Sequence, residues 1–161
     1  MATLIVYMSQ HGCSEKATGI LISNLSDNIT LVKLDGVPDP DLSLYDRVII
    51  GGSIHLGEIQ KGIRNFCERN LDELLKRRVG LFLCCMFEGE VARKQFEAAF
   101  PPELVSHATA CGLFGGEISF DKMNALEQMI VKKVAKIDHD VSRLNTSAIK
   151  EFARTFKGEQ Q

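Results

Sequence analysis

Two short stretches concentrate residue types that hold an anionic ligand. Ser9-Gln10-His11-Gly12-Cys13-Ser14 follows the apolar run Leu4-Ile5-Val6-Tyr7-Met8, and Gly51-Gly52-Ser53-Ile54-His55 follows Val48-Ile49-Ile50. A buried strand that breaks into a turn of hydroxyl residues and glycine, then opens a helix, presents backbone N–H groups and the positive end of a helix dipole to a phosphate. A third strand end, Cys84-Cys85-Met86-Phe87-Glu88-Gly89, shares the pattern of an apolar run stopping at a glycine. Ligands of open parallel sheets bind outside the carboxyl ends of the strands. A ligand touching all three ends has its phosphate on the first turn and its body between the second and third.

Other phosphate chemistries are excluded by spacing. A dinucleotide loop needs GxGxxG after the first strand, where only Gly12 stands, and GxxxxGK[ST] is absent. A receiver domain needs acidic residues at the first and third strand ends, which hold Ser9 and Gly51. A low-molecular-weight tyrosine phosphatase needs Arg six residues after its nucleophilic Cys, whereas Gly19 stands six after Cys13. A mononucleotide remains.

The elements that must position these residues alternate between strand and helix, the pattern of a parallel sheet covered on both faces. Strands are expected at Thr3–Met8, Ile29–Lys33, Arg47–Gly51, Val79–Met86 and Ala108–Phe114, the second being polar enough for an edge. Helical stripes run through Ala17, Ile20, Leu21 and Leu25, then Ile59, Ile63, Phe66, Cys67, Leu71 and Leu74. A third, Ala92, Phe96, Ala99 and Phe100, is stopped by Pro101-Pro102. Leu126, Met129, Ile130, Val134 and Ile137 form a fourth, and Ile149, Phe152, Ala153 and Phe156 a last one after the capping-type residues Thr146-Ser147. Residues 35–44, with Pro38 and Pro40, read as a loop holding at most one helical turn. With no linker or repeat, residues 1–161 form one domain.

A net charge of −2 argues against nucleic acid as a partner. The longest apolar run, Leu81–Phe87, is too short to span a bilayer, and residues 1–15 carry no Lys or Arg for a secretory leader. The five cysteines show neither CxxC nor CxxH spacing, so neither a zinc site nor a disulfide framework is expected, and a cytoplasmic location is. Lys76-Arg77-Arg78 closes a helix, where cations complement the dipole; it reads as a solvated face, or as a patch for peripheral membrane contact or an acidic partner.

The chain resembles the flavodoxins over its whole length. Ser9–Ser14 matches their phosphate loop, a hydroxyl residue, two variable positions, Gly, any residue, then Thr or Ser. Tyr45-Asp46-Arg47-Val48-Ile49-Ile50-Gly51-Gly52-Ser53-Ile54 resembles their third-strand signature. More narrowly, Tyr45–Gly57 with Phe66 and Ala110–Gly112 is similar to the menaquinone-dependent protoporphyrinogen dehydrogenases of the same fold. In that branch a long insertion follows the fourth strand, where Met86-Phe87-Glu88-Gly89 here passes straight into a helix. The resemblance implies an α/β three-layer sandwich, a five-stranded parallel sheet in the order 2-1-3-4-5 with helices on both faces. It also implies FMN as cofactor and no catalytic side chain, since the flavin carries the chemistry. The expected function is electron transfer or FMN-dependent oxidation, with a redox partner protein or a quinone, by a monomer or homodimer. The alternatives are a menaquinone-dependent protoporphyrinogen dehydrogenase and a cofactor-free binding module.

Site roles follow from these matches. Ser9 and Ser14 donate hydroxyl hydrogen bonds to the phosphate, Ser14 also serving as a plain helix N-cap. Gln10, His11, Gly12 and Cys13 complete the cradle; His11 either adds charge or faces water, and Cys13 at a helix N-terminus has an environment that lowers a thiol pKa. Gly51, Gly52, Ser53 and Ile54 approach the ring edge, and His55 either tunes the ring or points into water. Met86, Phe87 and Glu88 follow the fourth strand, with Phe87 the expected stacking residue. Cys84 and Cys85 point to opposite faces and act as small core residues. Gly115-Gly116-Glu117 borders the ring or a substrate mouth.

Overall fold

Near-continuous apolar runs with β-branched residues become strands buried on both faces, and here they form one parallel sheet. In the computed structural model, which describes residues 2–25, 28–118, 120–134, 136 and 139–158, the strands are β1 (Ala2–Tyr7), β2 (Asn28–Lys33), β3 (Arg47–His55), β5 (Arg78–Cys84) and β6 (Ala110–Leu113). Their order is β2-β1-β3-β5-β6, all parallel. A two-residue strand, β4 (Glu58–Ile59), adds antiparallel to the end of β3. Apart from this hairpin, the order is the expected doubly wound 2-1-3-4-5.

Alternate residues of the inner strands feed two separate cores, because successive side chains of a strand point to opposite faces. Leu4, Val6, Val48, Ile50, Val79, Leu81 and Leu83 face one core. It is covered by α2 (Lys61–Arg69), α3 (Leu71–Leu74), α4 (Gly89–Ala99) and α5 (Pro102–His107). Ile5, Tyr7, Ile49, Phe82 and Cys84 face the other, beneath α1 (Cys13–Ser23) and α7 (Thr146–Lys157). The β2 strand is mostly exposed, as an edge strand should be.

Aromatic rings set the dimensions of the second core. Phe82 and Phe114 stack with centroids 4.8 Å apart, and Phe152 meets both edge-on. These rings fit because glycines leave room in the sheet. A Cβ on Gly51 would fall 2.0 Å from Phe82 Cζ, and one on Gly112 2.5 Å from Phe114 Cε1. At Gly51 the space a Cβ would take is filled by the chain's own Phe82. The same holds at Gly52, where a Cβ would lie 2.6 Å from Gln60 Oε1.

Four local expectations are corrected. The strand expected to stop at Gly51 continues to His55, because residues 52–55 still pair, first with β5 and then with β4. Pro101-Pro102 ends α4 but also opens α5, since Pro at the first helical positions needs no N–H partner. The cap of α7 is Asn145, whose side chain accepts from Ala148 N at 3.0 Å, rather than Thr146 or Ser147. The basic run is not a solvated face throughout: Arg77 Nε donates to the carbonyls of Leu42 and Tyr45, and Arg78 lies over the Phe156 ring. The loop expected at 35–44 holds a single 3₁₀ turn at Leu42–Leu44.

The larger departure lies after β6. Here the chain leaves the sheet, forms β7 (Glu117–Ile118), a 3₁₀ turn at Phe120–Lys122, α6 (Ala125–Val134) and β8 (Val141–Ser142), and returns to α7. Strands β7 and β8 pair antiparallel. The neck is closed by Arg143 N to Gly116 O at 2.7 Å and Asn145 N to Phe114 O at 2.8 Å. Gly115 permits that closure: its φ is +78° and a Cβ would fall 1.9 Å from the Arg143 carbonyl oxygen. The stripe expected at residues 126–137 is therefore no sheet-covering face; Leu126 and Met129 are exposed, and Ile137 lies outside the described residues.

The Phe82 contact makes a testable demand. Gly51→Ala should destabilise the fold by about 1–3 kcal/mol, the usual cost of overpacking a core. Urea unfolding should show a lower midpoint with an unchanged slope.

Candidate functional site

The carboxyl ends of β1, β3 and β5 finish beside one another, because Tyr7 pairs with Gly51 and Ser53 with Cys84. Above them opens a cleft of about 900 Å³, part of it open to solvent. It is lined by Gln10, His11 and Cys13 from the first strand end, Ser53, Ile54 and His55 from the second, and Met86 and Phe87 from the third. Those eight of the fourteen residues singled out from the sequence thus share one cavity. Ser9, Gly12, Ser14, Gly51, Gly52 and Glu88 do not line it; Glu88 stands at the N-cap position of α4.

The loop from Ser9 to Ser14 has the form of an anion cradle. Gly12 caps α1 with φ +89°, a left-handed conformation that only glycine adopts readily. Its N–H donates to Ser9 Oγ at 3.0 Å, so Ser9 stiffens the turn and keeps its own hydroxyl proton to donate. The first N–H groups of α1 have no intrahelical acceptor and point out of the helix end. Ser14 is fully buried, and its Oγ has no hydrogen-bond partner among the described residues. The nearby Cys84 sulfur feels that hydroxyl's dipole without forming a bond of proper geometry with it.

Cys13 and Cys84 form a thiol pair across the floor. The hydrogen bond from Cys84 pulls the Cys13 pKa below its ordinary value, against burial and the Glu117 carboxylate. The cost falls on Cys84, whose thiol is pushed well above its ordinary value by that same pairing and by burial. Cys85, read beside Cys84 as a core residue, is buried but also borders the cleft.

The second wall is a tight hairpin. Leu56 and Gly57 both have positive φ, 52° and 84°, the arrangement of a two-residue type I′ turn that matches the twist of paired strands. It holds His55 and Leu56 at the cleft edge. Gln60 locks the strand behind them, accepting from Ser53 N at 3.0 Å and donating to Ser53 Oγ at 2.9 Å.

The third wall comes from the excursion after β6, which sequence reasoning did not bring to the site beyond Gly115–Glu117. Gly116, Glu117, Met123, Glu127, Ile130 and Val131 all line the cleft. Glu127 Oε2 stands 2.7 Å from His11 Nε2 and 3.6 Å from His55 Nε2. Lys122 Nζ donates to the His11 carbonyl at 3.4 Å and would lie 3.2 Å from a Cβ on Gly12, which puts a cation over the cradle. Lys16 on α1 pairs with Glu117 at 2.6 Å. These partners are separated by about seventy residues or more, so no local spacing reveals them; only the amphipathic pattern of 126–137 marked the helix.

Comparison with known proteins agrees with this geometry. Residues 4–145 match the flavodoxin domain model. The chain belongs to the flavodoxin domain family. Among solved structures, it is similar to oxidised flavodoxin 2 from Bacillus cereus, with 18% identity, 98% of this chain and 99% of that one covered, and a TM-score of 0.59. Flavodoxin 1 from the same organism is 13% identical over the full length of both chains, with a TM-score of 0.60. A mutant flavodoxin from Fusobacterium nucleatum, bound to flavin mononucleotide, is 14% identical, with 99% of this chain and 97% of that one covered and a TM-score of 0.54. No curated protein matches the sequence significantly. At these identities the structural matches establish the fold, which is the α/β flavodoxin sandwich.

Two predictions follow from the walls of the cleft. Leu56 occupies a left-handed conformation that costs a side-chain-bearing residue about 1–2 kcal/mol and Asn less. Leu56→Asn should therefore raise the thermal unfolding midpoint. For the excursion, the Lys16 ammonium holds the Glu117 carboxyl below its ordinary value of 4.5. The ionised form is favoured by folding, so its stabilisation is complete above that value and is lost as pH falls through the depressed one. Wild type should melt above Glu117→Gln at neutral pH, and the gap should close on acidification below 4.5.

Proposed function

We propose that this flavodoxin-family protein binds FMN at the cleft and works as a redox protein. The observation that carries the reading is the Ser14 hydroxyl, buried in the first turn of α1 next to the Ser9–Cys13 loop and without a hydrogen-bond partner among the described residues. A buried hydroxyl without a partner costs about 1–3 kcal/mol, which a phosphate oxygen accepting its proton removes. Ser9, the first-turn N–H groups of α1 and the Lys122 ammonium complete a phosphate-binding set around it. The cleft is concave and walled by apolar side chains with a few convergent polar groups, as small-molecule and cofactor sites are. Phe87 and the hairpin at His55–Leu56 flank the space for a planar ring, with Phe87 39% exposed and free to stack. Bound there, the flavin supplies the electron-transfer chemistry. The chain fixes the ring between two rigid strand ends and sets the charge beside it.

A second reading rests on a different observation. Leu56 and Phe87, which line the cleft, are 59% and 39% exposed. Apolar surface beside a cofactor cleft suits a planar apolar acceptor of the quinone type better than a charged protein partner. That favours an FMN-dependent oxidoreductase, the menaquinone-dependent protoporphyrinogen dehydrogenase being the resembling case, over a carrier that docks redox proteins. Among the described residues no helix is long and apolar enough to cross a membrane.

The test is an absorption titration of the purified protein with FMN, repeated on Ser14→Ala. Wild type should shift the flavin absorption band, with the shift saturating at one equivalent. The variant should bind about ten- to a hundredfold more weakly, the equivalent of one hydrogen bond of roughly 1.5–3 kcal/mol to a charged group. Without ligand the variant should melt no lower than wild type, because the hydroxyl it loses makes no bond. A wild-type protein that leaves the flavin spectrum unshifted and retains no flavin once excess FMN is removed would overturn the reading and leave a cofactor-free binding module. Reoxidation of the photoreduced protein by a water-soluble quinone, faster than by a redox protein, favours the oxidoreductase.

A further inference from the structure

We infer that His11, His55 and Glu127, on the walls of the same cleft, form a binding site for a divalent transition-metal ion of the zinc class. The three residues come from three separate segments: the loop after β1, the end of β3, and α6. Their ligand atoms nonetheless lie within 4.8 Å of one another. The side chains are 14%, 25% and 13% exposed, so the donors are sheltered yet reachable through the cleft.

The contacts within the cluster are incomplete as a hydrogen-bond network. His11 Nε2 is at bonding distance from Glu127 Oε2, but His55 Nε2, at 3.6 Å from the same oxygen, is too far for a hydrogen bond. The two imidazole rings stand edge to face with centroids 5.5 Å apart, both turned toward one carboxylate. A cation between them would be coordinated by both imidazole nitrogens and the carboxylate oxygen. Bonds of roughly 2.0–2.2 Å to zinc put tetrahedral ligand atoms about 3.3–3.6 Å apart, a spacing that lies between the 2.7 Å of the His11–Glu127 pair and the 4.8 Å span of the cluster.

Two imidazoles and one carboxylate select for first-row transition metals over magnesium or calcium, which take oxygen ligands. Three protein ligands leave a coordination position facing the cleft, available to water or to an oxygen of a bound ligand. Binding would also tie α6 to the two loops it covers, because Glu127 is the one ligand supplied by that helix. The strongest competitor is the thiol group of the same cleft, Cys13, Cys84 and Cys85, and the experiment separates the two.

The experiment is a cobalt(II) titration of the flavin-free full-length protein followed by absorption. Saturation at one equivalent is expected, with visible ligand-field bands and no thiolate-to-cobalt charge-transfer band in the near ultraviolet. His11→Ala, His55→Ala and Glu127→Gln should each weaken binding at least tenfold. As a check that needs no variant, zinc should shift the imidazole NMR signals of His11 and His55 and leave His107 and His139 unmoved. Failure to saturate, a charge-transfer band marking cysteine ligands, wild-type affinity in the variants, or shifts at His107 or His139 instead would each overturn the site. An FMN titration that succeeds while cobalt fails would sink this inference and leave the flavin reading standing.

Discussion

The seating of Phe82 against Gly51 is the contact on which the rest of the molecule depends. Gly51 is paired on one side with Tyr7 of β1 and on the other with Phe82 of β5. The ring fills the space that a side chain on the central strand would occupy. A packed interior tolerates little change in volume, so a ring of this size at this point fixes how the three inner strands lie relative to one another. Just beyond it, the same three strands end and the site begins. The cradle at Ser9–Ser14, the hairpin at His55 and the floor at Cys84 are therefore at one level because the core beneath them is rigid.

Much of this was legible in the sequence, and the reasons are local. The inner strands are nearly unbroken apolar runs, and Ser9–Ser14 carries the cradle chemistry in consecutive residues. Where a feature depends on neighbours close in sequence, residue types and spacing suffice. The hairpin at Leu56-Gly57 was less visible because Leu is a poor marker for a left-handed turn, and only Gly57 carries the usual signal. Gly51 and Gly52 were visible as glycines, but what fills their missing side chains comes from β5 and from Gln60. Of the third wall, only Gly115-Gly116-Glu117 could be read at the site. Glu127 meets His11 across 116 positions, and an apolar stripe such as Leu126, Met129 and Ile130 has the same period whether it covers a sheet or lies across a cleft.

The excursion after β6 differs in kind from the body it is attached to. The body is held by two apolar cores, whereas the excursion is anchored by a backbone neck at Gly115–Asn145 and, at the cleft, by polar pairs such as Lys16–Glu117 and His11–Glu127. Partly exposed ion pairs are individually weak, typically within about 1 kcal/mol. The neck is thus the firm part and α6 the part most readily displaced, with local opening expected to cost far less than global unfolding. A rigid floor beneath a weakly latched third wall reconciles two demands of a cofactor cleft: accurate positioning from below and access from above.

That asymmetry also gives the charges at the site a direction. Lys122 and His11 stand over the anion cradle, while Glu127 partners His11 and reaches toward His55. An anion entering the cradle gains the Lys122 ammonium and meets the Glu127 carboxylate close by. Occupancy of the cradle and closure of α6 are then coupled through shared side chains, and whatever neutralises Glu127 favours both at once. A cation held between the two histidines and the carboxylate would have that effect, since it offsets the negative charge that opposes an incoming phosphate. The sign of the coupling is fixed by which elements supply the charges: the cradle and hairpin contribute the histidines, and the weakly latched wall contributes the acid.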